Sequence, residues 1–167
     1  MKKILATLTM ASALTTAVFA DKGFYAGAGL AIEDIDDADM GIALVLNGGK
    51  EIRKLGPGVI GAEGELTYTL VSHEEDYYKY YDDIRYLTVG GYATYRYELN
   101  EQFYVKGRAG LNISNASDAP ARTDDGIGVA VSAQGVYKLN RHIDLTAGLT
   151  VISVGVRHLS FAAQYKF

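Results

Sequence analysis

The chain has 167 residues, with 16 basic and 20 acidic side chains giving a formal net charge of −4, no cysteine, and only two prolines beside 19 glycines and 13 tyrosines. Without cysteine there is no disulfide framework, thiolate metal site, cysteine nucleophile or lipidated N-terminal cysteine, and the acidic balance argues against a nucleic-acid partner. The length suits one domain, and the abundance of glycine and tyrosine favours strands over helices.

The N-terminus has the form of an export signal. Met1-Lys2-Lys3 supplies a positive start, residues 4–19 are apolar or small, and Val18-Phe19-Ala20 offers the small residues that a signal peptidase reads. Residues 1–20 are therefore expected to be removed, leaving a domain over 21–167 whose formal charge shifts from −4 to −6 on loss of Lys2 and Lys3. The apolar stretch falls short of the roughly 20 residues of a spanning helix, so it reads as a targeting device.

Beyond it, apolar residues recur at every second position in eight segments: 24–32, 40–47, 59–71, 85–99, 102–114, 126–139, 142–152 and 157–167. The fourth puts Leu87, Val89, Ala93, Tyr95 and Tyr97 on one face and Thr88, Tyr92, Thr94, Arg96 and Glu98 on the other. The fifth opposes Phe103, Val105, Leu111 and Ile113 to Tyr104, Lys106, Arg108 and Asn112. The sixth opposes Ile127, Val129, Val131 and Tyr137 to Ser132, Gln134 and Lys138.

Alternation alone does not separate a soluble barrel with an apolar interior from its inverse. The aromatics do favour one. Phe24, Tyr95, Tyr97, Phe103, Tyr137 and Phe167 all fall on apolar faces near the same end of their strands, as a headgroup-depth girdle requires, and Tyr68 is the candidate for the opposite belt. Breaks at 100–101 and 140–141 are short, whereas 33–39, 72–84 and 115–125 on the other side are long, the pattern of short periplasmic turns and longer outer loops. Two breaks depart from it, 48–58 being long and 153–156 short. The expected fold is all-β: an eight-stranded antiparallel up-and-down transmembrane β-barrel, its first and last strands paired because lipid tolerates no open sheet edge.

The last segment, Leu159-Ser160-Phe161-Ala162-Ala163-Gln164-Tyr165-Lys166-Phe167, alternates to a terminal phenylalanine. It resembles the insertion signal of bacterial outer-membrane barrels, and with eight segments the chain resembles the small barrels of the OmpA transmembrane-domain and OmpX type. That resemblance implies export to the bacterial outer membrane, insertion by the outer-membrane assembly machinery, and a place among outer-membrane lipids and lipopolysaccharide. It implies no specific activity and no cofactor.

The polar faces collect Glu63, Glu65, Arg96, Glu98, Lys106, Arg108, Lys138, Asp144 and Lys166. Eight strands enclose a space just wide enough for side chains, so these charges are expected to pair across the lumen and plug it; a narrow ion pathway is the functional alternative. His158 and Ser160 are similar to the histidine and serine of outer-membrane lipid A deacylases, but no carboxylate follows them and the alternation points them inward, so a structural role is preferred. The outer connections hold Asp34, Asp36, Asp37 and Asp39, then Glu74, Glu75, Asp76, Asp82 and Asp83 interleaved with Tyr77, Tyr78, Tyr80 and Tyr81. They match no EF-hand spacing, and no metal site is assigned; a charged surface that meets an unknown ligand through its tyrosines is the functional reading. The chain thus reads as a non-enzymatic scaffold for surface loops, with a lipid-modifying enzyme or narrow channel as alternatives.

Overall fold

The computed structural model describes residues 23–35, 40–71, 85–117, 126–153 and 155–167; the expected signal segment 1–20 lies outside them. Eight strands follow in order: β1 (Phe24–Ile35), β2 (Gly41–Leu55), β3 (Gly58–Val71), β4 (Arg85–Glu98), β5 (Phe103–Ser117), β6 (Gly126–Lys138), β7 (Ile143–Ile152) and β8 (Val156–Lys166). Each pairs antiparallel with its neighbour in sequence, and β1 pairs antiparallel with β8 to close the barrel.

The stagger follows from the register. Stepping across partners from Phe24 through Lys50, Ala62, Ala93, Ala109, Val131, Val151 and Arg157 returns to β1 at Asp34, ten residues further on. At roughly 3.3 Å per residue and 4.8 Å between strands, this tilts the strands by about 40° and sets a backbone radius of about 8 Å.

The two faces have inverted polarity relative to a soluble barrel. Outward positions are apolar and exposed, as at Ile127 (71%), Leu111 (57%) and Phe161 (55%), whereas Glu33 and Asp144 are fully buried inside with Arg108 at 3% and Lys106 at 4%. Burying charge while exposing leucine is favourable only where the surroundings are hydrocarbon.

The long break expected at 48–58 is instead strand. β2 runs to Leu55 and turns through Gly56 and Pro57 alone, with Gly56 in the left-handed region (φ 58°). Gly48-Gly49 and the charges Lys50, Glu51, Arg53 and Lys54 interrupt the apolar alternation, which is why this part of the strand escapes a pattern search. Pairing on both sides sustains it: Gly49 lies opposite both Tyr25 and Glu63, and a side chain at Gly49 would collide with the Tyr25 ring that fills its place. A bulge between Glu51 and Arg53 accommodates the register. β1 and β5 likewise extend three residues beyond their expected ends, to Ile35 and Ser117, which moves Glu33 from the expected loop into the wall.

Gly110 faces the lumen where a Cβ would meet the Gly91 carbonyl oxygen, whereas a Cβ on the lipid-facing Gly107 meets nothing. Gly110→Val should therefore lower folding stability by about 1–3 kcal/mol and Gly107→Val by much less. The urea midpoint of the heat-modifiable band in vesicles compares them directly.

Candidate functional site

The inward positions of β1, β3, β4, β5 and β7 bring their polar side chains to the barrel axis. In the middle tier, Glu63 on β3 accepts hydrogen bonds from Tyr25 (2.6 Å), Lys106 (2.6 Å) and Arg108 (2.5 Å). Nη1 of Arg108 also reaches Glu65 at 2.5 Å, while Nη2 donates to Thr150 at 2.9 Å. Two cations of β5 thus face two carboxylates of β3 across the intervening β4, with the side chains of Glu63 and Arg108 sealed from solvent.

Three tyrosines tie this arrangement together. Tyr25 donates to Glu63 with Lys106 over its ring at 4.9 Å. Tyr92 donates to Glu65 at 3.5 Å, lies under Arg108 at 4.6 Å and accepts from Asn112. Tyr104 donates to Asp144 at 2.6 Å, with Arg96 over its ring at 5.0 Å. Each ring presents its face to a cation and its hydroxyl to a carboxylate, so an aromatic side chain separates and connects opposite charges without leaving a void.

At the short-turn end, Lys166 reaches Asp144 at 2.9 Å, Arg96 pairs with Glu51, and Glu98 takes both Arg96 (3.0 Å) and Lys138 (3.1 Å). The lumen void beside Tyr25, Tyr104, Lys106 and Asp144 measures only about 10 Å³, room for about one water.

The opposite end holds a second cluster. His158 on β8 faces Glu33 on β1, with Nε2 3.2 Å from Oε1, and Thr69 donates to the other carboxylate oxygen at 2.6 Å. The carboxylate missing after His158 in the sequence therefore comes from the far end of the chain, across the closing seam. Ser160 faces the same lumen and donates to the Gly148 carbonyl; neither it nor His158 faces lipid.

Every sequence-derived lumen residue lies on the inward side, with Glu98, Lys138 and Lys166 at its mouth. The reading put Tyr92 and Tyr104 on polar faces without joining them to the charges, gave Tyr25 no role, and left Glu51 and Glu33 in breaks; their inward parity was the available signal. Phe24 lies under Lys50 (4.5 Å), Tyr95 donates to the Leu55 carbonyl (3.4 Å), Tyr97 and Phe167 are exposed, and Phe103 and Tyr137 sit 5.0 Å apart. Tyr165, overlooked in the girdle, contacts both His142 and Phe167. Asp34 pairs with Arg157 at 3.5 Å; Asp36, Asp37, Asp39, Tyr77, Tyr78, Tyr80 and Tyr81 lie outside the described residues. Among the described residues no group of three or more histidine and acidic side chains is placed to hold a metal.

The closed, inside-out barrel coincides with a match over residues 4–167 to the family model described as outer membrane protein beta-barrel domain. The chain belongs to this outer-membrane β-barrel family. No curated protein matches it in sequence. Among solved structures it is similar to Neisserial surface protein A (20% identity over 87% of this chain and 97% of that one, TM-score 0.62) and to the Yersinia pestis outer membrane protein Ail (15%, 88% and 100%, TM-score 0.61). It is also similar to the outer membrane enzyme PagL (10%, 86% and 99%, TM-score 0.55). At these identities the likeness is one of fold. For an outer-membrane barrel the short turns mark the periplasmic end and the long connections the outside, which puts both described strand termini, Phe24 and Lys166, at the periplasm.

Removing Arg108 leaves buried Glu63 with Lys106 alone and takes the cation from Glu65. Arg108→Met should cost about 3–5 kcal/mol, and adding Glu65→Gln should recover a large part by restoring the balance of charge. Urea titrations of the two variants give the coupling.

Proposed function

We propose that the chain is a non-enzymatic integral outer-membrane protein whose plugged barrel holds acidic, tyrosine-bearing loops at the cell surface, for contact with cationic partners and for envelope integrity. The observation that carries this reading is the lumen: Lys106 and Arg108 are ion-paired with Glu63 and Glu65, and the void beside Tyr25 and Tyr104 has room for about one water, which supports an interior that is filled and not an open conduit. The variable chemistry then resides in the connections β1–β2, β3–β4 and β5–β6, which carry Asp36, Asp37 and Asp39, then Glu74, Glu75, Asp76, Asp82 and Asp83, then Asp118, Asp124 and Asp125. Removal of residues 1–20 during export, insertion by the outer-membrane assembly machinery, and bridging of loop carboxylates to lipopolysaccharide phosphates by divalent cations belong to the same reading.

Ail has been solved with the heparin analogue sucrose octasulfate. The present loops carry the opposite complement: carboxylates repel a sulfated polyanion and attract a polycation. Nanodisc-embedded protein should bind immobilised polylysine in a salt-sensitive manner and ignore heparin, and replacing Glu74, Glu75 and Asp76 by their amides should weaken the binding. Preference for heparin would overturn the proposal.

A second reading, acyl cleavage on lipid A, is favoured by Glu33 beside His158 and Ser160. The lumen-facing side chains count against it, since a lipid substrate arrives from the outer wall. Lipid A masses from cells expressing the wild type and Ser160→Ala should be identical; an acyl chain lost only with the wild type would establish the enzyme. In planar bilayers the protein should be electrically silent, and steady conductance would instead support the channel.

A further inference from the structure

We propose that two acid–base pairs at the outer end of the β1–β8 seam select the register in which the barrel closes, and so fix its stagger at ten residues.

Seven of the eight strand pairings join neighbours in sequence, each tied at one end by the connection between its strands. The seam has no such tether. Alternation constrains it only in part, because a shift of two residues keeps every inward side chain inward. Staggers of eight and of twelve therefore have to be excluded by something else.

Much of the seam discriminates poorly. Tyr25-Ala26-Gly27-Ala28-Gly29 faces Ala162-Ala163-Gln164-Tyr165-Lys166, and a glycine-rich strand specifies register weakly. The glycines bar one slip. At Gly29 a Cβ would lie 2.1 Å from the Phe161 carbonyl oxygen, and at Gly27 it would lie 2.9 Å from that of Ala163. A stagger of twelve brings Ala31 to the place of Gly29, opposite Ala162, where its Cβ meets this contact. A stagger of eight brings Gly27 there instead and meets no such barrier.

The outer end of the seam excludes that second slip. Facing the lumen, Glu33 lies opposite His158 with Oε1 3.2 Å from Nε2 and both side chains sealed; facing outward, the next pair is Asp34 with Arg157 at 3.5 Å, half-exposed. In the eight-residue stagger Glu33 would face Val156, His158 would face Ala31 and Arg157 would face Ile32. A buried carboxylate would then lose its basic partner on β8, at a heavy cost, and the outward pair would be broken in the same step. Because the two pairs are consecutive, lumen and outer wall oppose the slip together.

The chain has no cysteine, so introduced cysteine pairs report the register directly. Ala28→Cys with Ala163→Cys marks the ten-residue stagger, and Ala26→Cys with Ala163→Cys marks the eight-residue one. All three positions share the outward parity, so copper-catalysed oxidation in vesicles meets the same type of cross-strand pair in each case. In the heat-modifiable band of the otherwise wild-type protein the first disulfide should dominate. Combining Glu33→Gln, His158→Gln, Asp34→Asn and Arg157→Gln should raise the yield of the second relative to the first by about tenfold. The outward pair provides a variant that leaves the lumen intact: Arg157→Asp should raise the ratio, and adding Asp34→Arg should return it to the wild-type value. A ratio that stays at the wild-type value in every folded variant, or an eight-residue disulfide already dominant in the wild type, would overturn the proposal.

Discussion

Hydrocarbon offers no hydrogen-bond partner, so a strand that enters it must have its donors and acceptors taken by other strands, and the only sheet without an edge is a closed one. Here the pairing of β1 with β8 meets that requirement. The remaining geometry follows from it. Eight strands staggered by ten residues have a fixed tilt and radius, and a cylinder of about 8 Å backbone radius holds side chains from facing walls with almost nothing between them. The contents of the lumen are therefore a packing problem before they are a functional one.

Charged side chains are a costly way to fill that space, since desolvation offsets much of the attraction between them. An apolar filling would pack as well, but both faces of every strand would then be hydrophobic. A chain of that kind would resemble a series of spanning segments on its way through the inner membrane. Placing glutamate, lysine and arginine on alternate positions keeps mean hydropathy at +0.02 and leaves no continuous apolar run, so the segment reveals its membrane face only when the barrel closes. The tyrosines make this filling workable: Tyr25, Tyr92 and Tyr104 each connect a cation to a carboxylate across the lumen, replacing water that the narrow interior has no room to hold.

Strand number, order and facing were legible in the sequence because a period of two is a local signal and each strand has one face in lipid. Where that signal lapses, the strand does not. Residues 48–55 lose it to a glycine pair and four charges, yet they hold their place through Tyr25 and β3, contacts that no local window contains. The same limit hid Glu33. Its partner His158 is its neighbour only because the barrel closes, and the seam that joins them is the one pairing between strands distant in sequence. Parity could have placed both residues inside, but only closure makes them a pair.

The two ends of the barrel face different chemistries, and the charge distribution follows this difference. Around the periplasmic rim, Lys50, Arg53, Lys54, Lys138, Arg141 and Lys166 outnumber Glu51, Glu98 and Glu101, whereas the outer connections set Asp36, Asp37, Glu74, Glu75, Asp76 and Asp82, among others, against Lys79 and Arg122. The lumen ion pairs of the described residues, among them Lys166 with Asp144 and Arg108 with Glu63, lie within the strands. A wall whose charges pair between its own strands can keep its architecture while its sequence changes, as the fold shared with Neisserial surface protein A and PagL at 10–20% identity illustrates.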